Sequence, residues 1–313
     1  MIQTISFYKS PEDILRVYGD GTVDFKNTYD DWHLIASSRP VFAPPKVKTT
    51  YIDVPGGNGS LDLSESLTRF PLYENRTGSI TFKVLNHYDK NGEIIYESSR
   101  NGRWAERYSE IMEFLHGKCL YAVLDDDPLW FYQGRFTVDS WESGNTWSEI
   151  TIGYNVNPFK WSIMSSTSDW LWDPFNFDKD VIRDSVCENI EVNSPDFYVP
   201  YLLPSYDEQR IEFDGWSDTS LHWDAEFADK FFGKVPISPT ITVENLEGTD
   251  NRGVDINFTN EYLEIMDFEQ HFQCGTTTFV PDFIFYGTRE TEPYTLLMRG
   301  CGKVSIDFRV GRL

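Results

Sequence analysis

Short runs of alternating apolar and polar residues occur along much of this chain, and turn-forming residues separate them. One run covers residues 51–54, breaks at the glycine-rich segment 55–59, and resumes at residues 61–63. Because the side chains of a strand alternate between its two faces, these runs predict two paired strands joined by a turn. A further run at residues 80–84 predicts another strand.

One segment has the periodicity of a helix instead. Its apolar residues fall at helical spacing and form one stripe: Trp104, Tyr108, Ile111, Met112 and Leu115. We predict a helix over about residues 100–116, with Gly117 as the left-handed residue that follows its end. Strong helical patterning is found nowhere else in the chain.

The segments around this helix are typical of strands. Residues 119–124 are apolar on both faces, and alternation covers residues 130–138 and 150–156 before Asn157-Pro158 interrupts it. Residues 32–35 also predict a strand. We therefore predict a β-rich first domain, residues 1–158, with one packed helix.

The later part of the chain divides into two patterns. Residues 159–239 are rich in Asp, Pro and aromatic residues and have weak periodicity, whereas clear alternation returns after Pro239. Short strands with turn signals and no crossover helices predict an antiparallel β-sandwich in the second domain, residues 159–313. The predicted fold class is therefore mainly β.

The composition of the chain argues against nucleic acids and membranes as binding partners. The chain has 313 residues, enough for two cores, and carries 50 Asp and Glu against 27 Lys and Arg, a formal net charge of −23. Such a charge repels phosphate groups, so we expect no stable nucleic-acid binding. We expect neither a secretion signal nor membrane insertion, because the start of the chain is not signal-like and no long apolar run occurs.

Candidate chemistry is sparse. The run Asp125-Asp126-Asp127-Pro128 has the carboxylates that a hard cation needs, but it lacks the spacing of a calcium loop and is more typical of a turn. The histidines are isolated and the cysteines form no CxxC motif. We expect no catalytic residue, no cofactor and no metal. The alternative class is a carbohydrate-binding module or glycosidase, suggested by the many tryptophans and carboxylates.

Several segments, taken together and in order, resemble the distal tail proteins of bacteriophages. They are DDWHLIASSRP, TTYIDVPGGNGSLDLSESLT, NRTGSITFKV, the helix with Trp104, the Asp-rich turn, DWLWDPF and the segment 300–309. These proteins form baseplate hubs in phages with long, non-contractile tails. The resemblance marks these residues as assembly candidates: Asp31, Trp32, Pro55, Gly56, Gly57, Gly59, Leu61, Trp104, Asp125, Asp126, Asp127 and Pro128.

The resemblance also implies an architecture and a set of partners. The first domain would form a homohexameric ring around the tail channel, and the second would be a galectin-like β-sandwich with an inserted segment around residues 196–234. The implied partners are the tail-tube protein, a tail-associated lysin-like hub protein, the tape-measure protein and receptor-binding proteins. The chain would be a structural virion protein that functions in host attachment. It would be made in the bacterial host cytoplasm and located at the virion tail tip.

Overall fold

The chain forms two compact units, Met1–Ile163 and Met164–Leu313. This computed structural model describes the residues 3–16, 23–66, 71–85, 102–143, 147–165, 167, 188–202, 236–237, 239–245, 254–259, 265–272, 276–280, 285–286 and 295–313. Within them the chain is mainly β and is built from antiparallel sheets, which confirms the predicted fold class.

The first unit contains eleven described strands, the first part of a twelfth and two described helices. The strands are β1 (Ile5–Tyr8), β2 (Phe25–Asn27), β3 (Leu34–Ala36), β4 (Val47–Lys48), β5 (Tyr51–Asp53), β6 (Ser60–Asp62), β7 (Leu72–Tyr73), β8 (Arg76–Leu85), β9 (Cys119–Leu124), β10 (Trp130–Ser143), β11 (Trp147–Val156) and β12 (Lys160–Ser165). The helices are α1 (Pro11–Arg16) and α2 (Gly102–Leu115).

Seven of these strands form a continuous sheet in the order β2-β1-β9-β10-β11-β8-β3, and β12 pairs with β10. One face of the sheet is apolar, as the alternation predicts: Ile80, Phe82, Ile150, Ile152, Phe136 and Val138 are all buried in a single core. The opposite face is more polar, and Thr81 and Thr151 lie side by side on it.

Helix α2 covers the apolar face of this sheet. Ile111 and Leu115 are fully buried in the core, and Tyr108 and Met112 pack against it. Gly117 follows the helix with a φ of 74°, as predicted. Phe114 is also buried, although the predicted stripe omits it; its ring contacts the Trp32 ring edge-on at 5.7 Å.

The structure differs from the sequence-based predictions in one missed helix and one strand start. Helix α1 was missed, although Ser10 and Pro11 give a recognisable start signal: the Ser10 hydroxyl accepts the N–H of Asp13 at 3.2 Å. The strand predicted at residues 32–35 begins only at Leu34. The Asn27 side chain accepts backbone N–H groups and holds the preceding residues in a turn, and His33 has a positive φ of 54°.

The second unit is built around a second antiparallel sheet. Its described strands are β13 (Ile190–Leu202), β14 (Pro236–Ile237), β15 (Thr240–Asn245), β16 (Val254–Thr259), β17 (Ile265–Phe272), β18 (Thr276–Phe279), β19 (Phe285–Tyr286), β20 (Thr295–Asp307) and β21 (Arg309–Arg312). The sheet has the order β17-β16-β20-β15-β18, with β13 also on β20, and β14 pairs with β19. Its buried face includes Ile241, Val243, Ile256 and Val304.

Some predictions for this unit lie beyond what the structure describes. Strand β13 includes residues 196–202 of the predicted insertion, and residues 203–234 lie outside the described ranges. The galectin-like form of the sandwich stays a prediction. In the described part of the chain, neither helix has the length and apolar character that crossing a membrane requires.

Candidate assembly surface

Between β3 and β8, the strands in the described residues leave the large sheet of the first unit and pair only with one another. We call residues 46–66 and 71–74 the arm. Its base is the pair β4–β7, where Val47 faces Tyr73, and its outer part is the pair β5–β6. We call the outer part, residues 50–64, the ribbon. Nearly every residue of the ribbon is exposed to solvent.

The tip of the ribbon has the turn that its glycines predict. The Gly57 N–H donates to the Val54 carbonyl at 3.0 Å, which closes a four-residue turn with Pro55 and Gly56 at its centre. Gly56 has a φ of 80°, so the turn has the proline and left-handed glycine of type II. Gly59, with a φ of 82°, brings the chain back into β6.

The two faces of the ribbon differ in character. Ile52 and Leu61 lie directly opposite each other, so their side chains share one face, and they are 49% and 53% exposed. The neighbouring positions place Tyr51 beside Asp62 and Asp53 beside Ser60 on the other face. The ribbon therefore presents two adjacent aliphatic side chains to solvent on a single face.

Polar groups brace the opposite face. The Ser60 hydroxyl donates to Asp53 Oδ1 at 2.6 Å, and the Ser64 hydroxyl accepts the Thr50 N–H at 2.8 Å. The Ser64 hydroxyl and backbone N–H both donate to Asp62, which lowers the pKa of this exposed carboxyl below its usual 3.8. These bonds hold the shape of the ribbon without covering its aliphatic face.

The root of the arm is buried. Phe42 is 3% exposed, and its ring contacts those of Tyr132 and Tyr154, with centroid distances of 4.5 and 4.8 Å. Ala43 follows, and side chains from the sheet bond both of its backbone groups. The Tyr154 hydroxyl accepts the Ala43 N–H at 2.8 Å, and Arg76 Nη1 donates to the Ala43 carbonyl at 3.3 Å.

Arg76 occupies an unusual position for a cation. It is 7% exposed, its guanidinium lies 5.5 Å from the centre of the Tyr132 ring, and its Nε donates to the Pro158 carbonyl at 2.7 Å. No carboxylate in the described part of the chain forms an ion pair with it. Burial accordingly lowers the pKa of Arg76, and burial also raises the pKa of Tyr132.

The remaining predicted site residues lie elsewhere in the first unit. Trp32 is fully buried in the core. Asp31 accepts the Asn27 N–H at 2.7 Å and lies 3.5 Å from Lys26, which also pairs with Glu110 of α2. These residues hold the segment before β3 against the core. Trp104 is in α2, but its side chain lies outside the described set.

The Asp-rich turn between β9 and β10 is braced by neighbouring side chains. Asp126 accepts hydrogen bonds from Arg39 Nε at 2.7 Å and from Gln3 Nε2 at 2.9 Å. Asp127 forms an ion pair with Lys160. No group of three or more potential metal ligands occurs in the described ranges. In this structure the turn, which ends at Pro128, joins three chain segments.

The structure brings only part of the predicted set together. Pro55, Gly56, Gly57, Gly59 and Leu61 meet in the ribbon, whereas Trp32 lies in the core and Asp126 and Asp127 lie in the turn between β9 and β10. Ile52 was not among the candidates, although the same alternation places it opposite Leu61. Arg76 was missed as well, because no sequence pattern distinguishes a buried arginine from an exposed one.

Comparison with known proteins gives a likeness in structure alone. No protein-family model matches the sequence, and no curated protein matches it. Among solved structures, the Dit (gp 19.1) protein of SPP1, described as a hub of the adsorption apparatus in phages that infect Gram-positive bacteria, aligns with a TM-score of 0.50 and 10% identity over all of both chains.

A chain of the phage P2 baseplate, in its activated conformation with Ca, aligns with a TM-score of 0.39 and 8% identity over all of this chain and 99% of that one. The SPP1 alignment spans both units of the chain from end to end. The resemblance seen in the sequence is thus confirmed at the level of the fold: this chain has the fold of a phage distal tail protein.

Proposed function

We propose that this protein is a structural component of a phage tail, the distal tail protein that forms the baseplate hub of a long, non-contractile tail. Fold alone does not establish function, because one fold serves many purposes. The observation that carries the proposal is the arm. It exposes aliphatic side chains on a two-stranded ribbon, in a chain that has the fold of a hub protein from end to end.

The occupant that we propose for the aliphatic face is a second copy of this chain. A two-stranded ribbon is marginally stable in water and gains stability when a further surface covers it. Identical subunits that bind through two different surfaces form a closed ring when the rotation between them closes. We propose a ring of six copies around the tail channel, with the arm of each copy lying on its neighbour.

The proposed ring lies at the tip of the virion tail and functions in host attachment. Its proposed partners are the tail-tube protein, a tail-associated lysin-like hub protein, the tape-measure protein and receptor-binding proteins. In this proposal the chain is not an enzyme and needs no cofactor. Its role is to bind the other tail proteins in a fixed geometry. The second unit contributes a galectin-like domain outside the ring.

The test removes the aliphatic face without altering the fold. We expect the double variant Ile52→Ser/Leu61→Ser to associate at least tenfold more weakly than the wild type, because each buried aliphatic side chain is worth about 1.5–3 kcal/mol. Mass photometry and electron microscopy over a range of concentrations, with and without a co-expressed tail-tube protein, would measure rings. The control is Val280→Ser, which removes another exposed aliphatic side chain, 58% exposed, from the second unit.

Two results would contradict the proposal. One is a wild-type chain that stays monomeric even with the tail-tube protein present. The other is a double variant that forms rings as well as the wild type. Binding to a glycan array, or hydrolysis of a glycan by the isolated chain, would instead support the carbohydrate-active alternative.

A further inference from the structure

The root of the arm contains a device that the proposed function does not by itself require. We propose that Arg76 and Tyr154 are positioning residues that clamp Ala43 and fix the direction in which the arm leaves the sheet. Ala43 belongs to no strand, yet both of its backbone groups are bonded, one by each of these side chains. Because the N–H and the carbonyl of Ala43 are each held by a hydrogen bond, the backbone cannot rotate freely at this residue.

The reach of Tyr154 depends on the residue opposite it. Tyr154 pairs with Gly78 of β8, and a Cβ at Gly78 would overlap the tyrosine hydroxyl. The Tyr154 ring therefore occupies the space that a side chain at position 78 would fill. It also lies over the backbone of this glycine. This arrangement places the hydroxyl at the N–H of Ala43.

The guanidinium of Arg76 is suited to the second half of the clamp. Its planar fork donates from two nitrogens at once, to the carbonyls of Ala43 and Pro158. Pro158 lies just beyond the end of β11, so Arg76 joins the arm root to the end of a central strand. A lysine has one donor centre on a flexible stem and does not reproduce this two-pronged geometry.

Phe42 completes the arrangement from the side of the core. Its ring is enclosed by Tyr132 and Tyr154, and its third aromatic neighbour is Phe136 at 6.2 Å. The residue before Ala43 is thus anchored by burial, and Ala43 itself by hydrogen bonds. Because the clamp acts on residues 42 and 43, it sets the direction of the arm without contacting the ribbon.

The role of this clamp in assembly rests on the proposed function. The clamp itself can be tested in the monomer, whatever the function is. The full-length chain can be tested with two variants that leave the ribbon unchanged. Tyr154→Phe removes only the hydroxyl that accepts the Ala43 N–H, and Arg76→Lys keeps the charge but loses the fork. Arg135→Lys is the matched control, because Arg135 donates at 2.8 Å to a single carbonyl, that of Gly117, on the same sheet.

The first measurement is hydrogen exchange followed by mass spectrometry at concentrations where the chain is monomeric. We expect the Ala43 amide to exchange at least tenfold faster in Tyr154→Phe, and the peptide around Ala43 to lose protection in Arg76→Lys. The ribbon amide of Leu63, which donates to the Thr50 carbonyl at 2.9 Å, should exchange as in the wild type. Wild-type exchange around Ala43 in both variants would overturn the clamp.

The second measurement is self-association of the same variants. We expect both to associate at least tenfold more weakly than the wild type and Arg135→Lys to match it. Association of wild-type strength in a variant whose root exchanges faster would overturn the positioning role. A wild-type chain that never associates would refute the proposed function alone, and the exchange measurement on the monomer would then decide whether the clamp exists.

Discussion

The hydroxyl of Tyr154 accepts the backbone N–H of Ala43 at 2.8 Å, across a glycine whose missing side chain makes the contact possible. We predict that Gly78→Ala pushes the Tyr154 ring aside and lowers the free energy of unfolding by about 1–3 kcal/mol, as overpacking does. Ser79→Ala, at the next and exposed position of the same strand, is the control. Denaturant unfolding would measure both, and equal effects would contradict the prediction.

The helix gives a second prediction. Leu115 is fully buried between α2 and the sheet, so we expect Leu115→Ala to lower the free energy of unfolding by about 2–5 kcal/mol. Glu113, two positions earlier on the exposed side of the helix, should tolerate alanine with little change. Thermal and denaturant unfolding of the two variants provide the comparison. Similar losses would show that the wrong face of the helix had been assigned to the core.

The turn at the tip of the ribbon gives a third prediction. The positive φ angles at the tip of the ribbon are those of Gly56 and Gly59, and Gly57 has none. We therefore predict that Gly56→Ala strains the turn by about 1–2 kcal/mol, which speeds exchange of the Gly57 amide roughly tenfold. The unfolding temperature of the sheets should not change. Asn58→Ala, at the same tip, is the control, and equal exchange in both variants would contradict the assignment.

The polar face of the ribbon gives a prediction about pH. The pKa of Asp62 is lowered because Ser64 donates to the carboxylate, so this group stabilises the ribbon above its unfolded pKa of 3.8. That contribution is lost as the pH falls through the lower, folded pKa. Carboxyl NMR titration should show the Asp62 pKa below 3.8, and Ser64→Ala should raise it part of the way. Ser66→Ala, whose hydroxyl bonds Leu63, should leave the pKa unchanged.

The net charge gives the fifth prediction. At −23 the chain should not bind duplex DNA at moderate salt, and we expect the lumen of the proposed ring to be neutral to negative. Fluorescence anisotropy with a labelled duplex, at low and moderate ionic strength, would measure this. Each phosphate contact lowers the logarithm of the affinity by about 0.9 per decade of salt. Tight binding with a steep salt dependence would therefore reveal a basic cluster and contradict the prediction.

Local patterning predicted much of the first unit. Strand β9 has the bounds that its apolar run predicts, α2 agrees within two residues at its start, and the ribbon pairs through its glycine-rich turn. In these segments the periodicity of burial matches the periodicity of the element. The start of the strand predicted at residues 32–35 was misplaced because the Asn27 side chain, outside the predicted run, determines the local turn.

Contacts between distant residues could not be predicted in the same way. Asp126 meets Arg39 across 87 positions of the chain, and Arg76 meets Pro158 across 82. Nothing in the sequence near any of these residues indicates its partner. The Asp-rich turn is a further case: the sequence predicts a turn there, but the cationic partners of Asp126 and Asp127, Arg39 and Lys160, are visible only once the chain is folded.

The ribbon forms its backbone hydrogen bonds within itself and adds no side chain to the buried core. Replacing its outer residues therefore leaves the remainder of the molecule as stable as before. Such a segment is free to diverge during evolution, since selection acts on its aliphatic face through the binding partner and hardly at all through folding. A hairpin of the same length from a related chain should be able to replace residues 50–64. The hybrid chain would then bind the partner that the donor hairpin recognises.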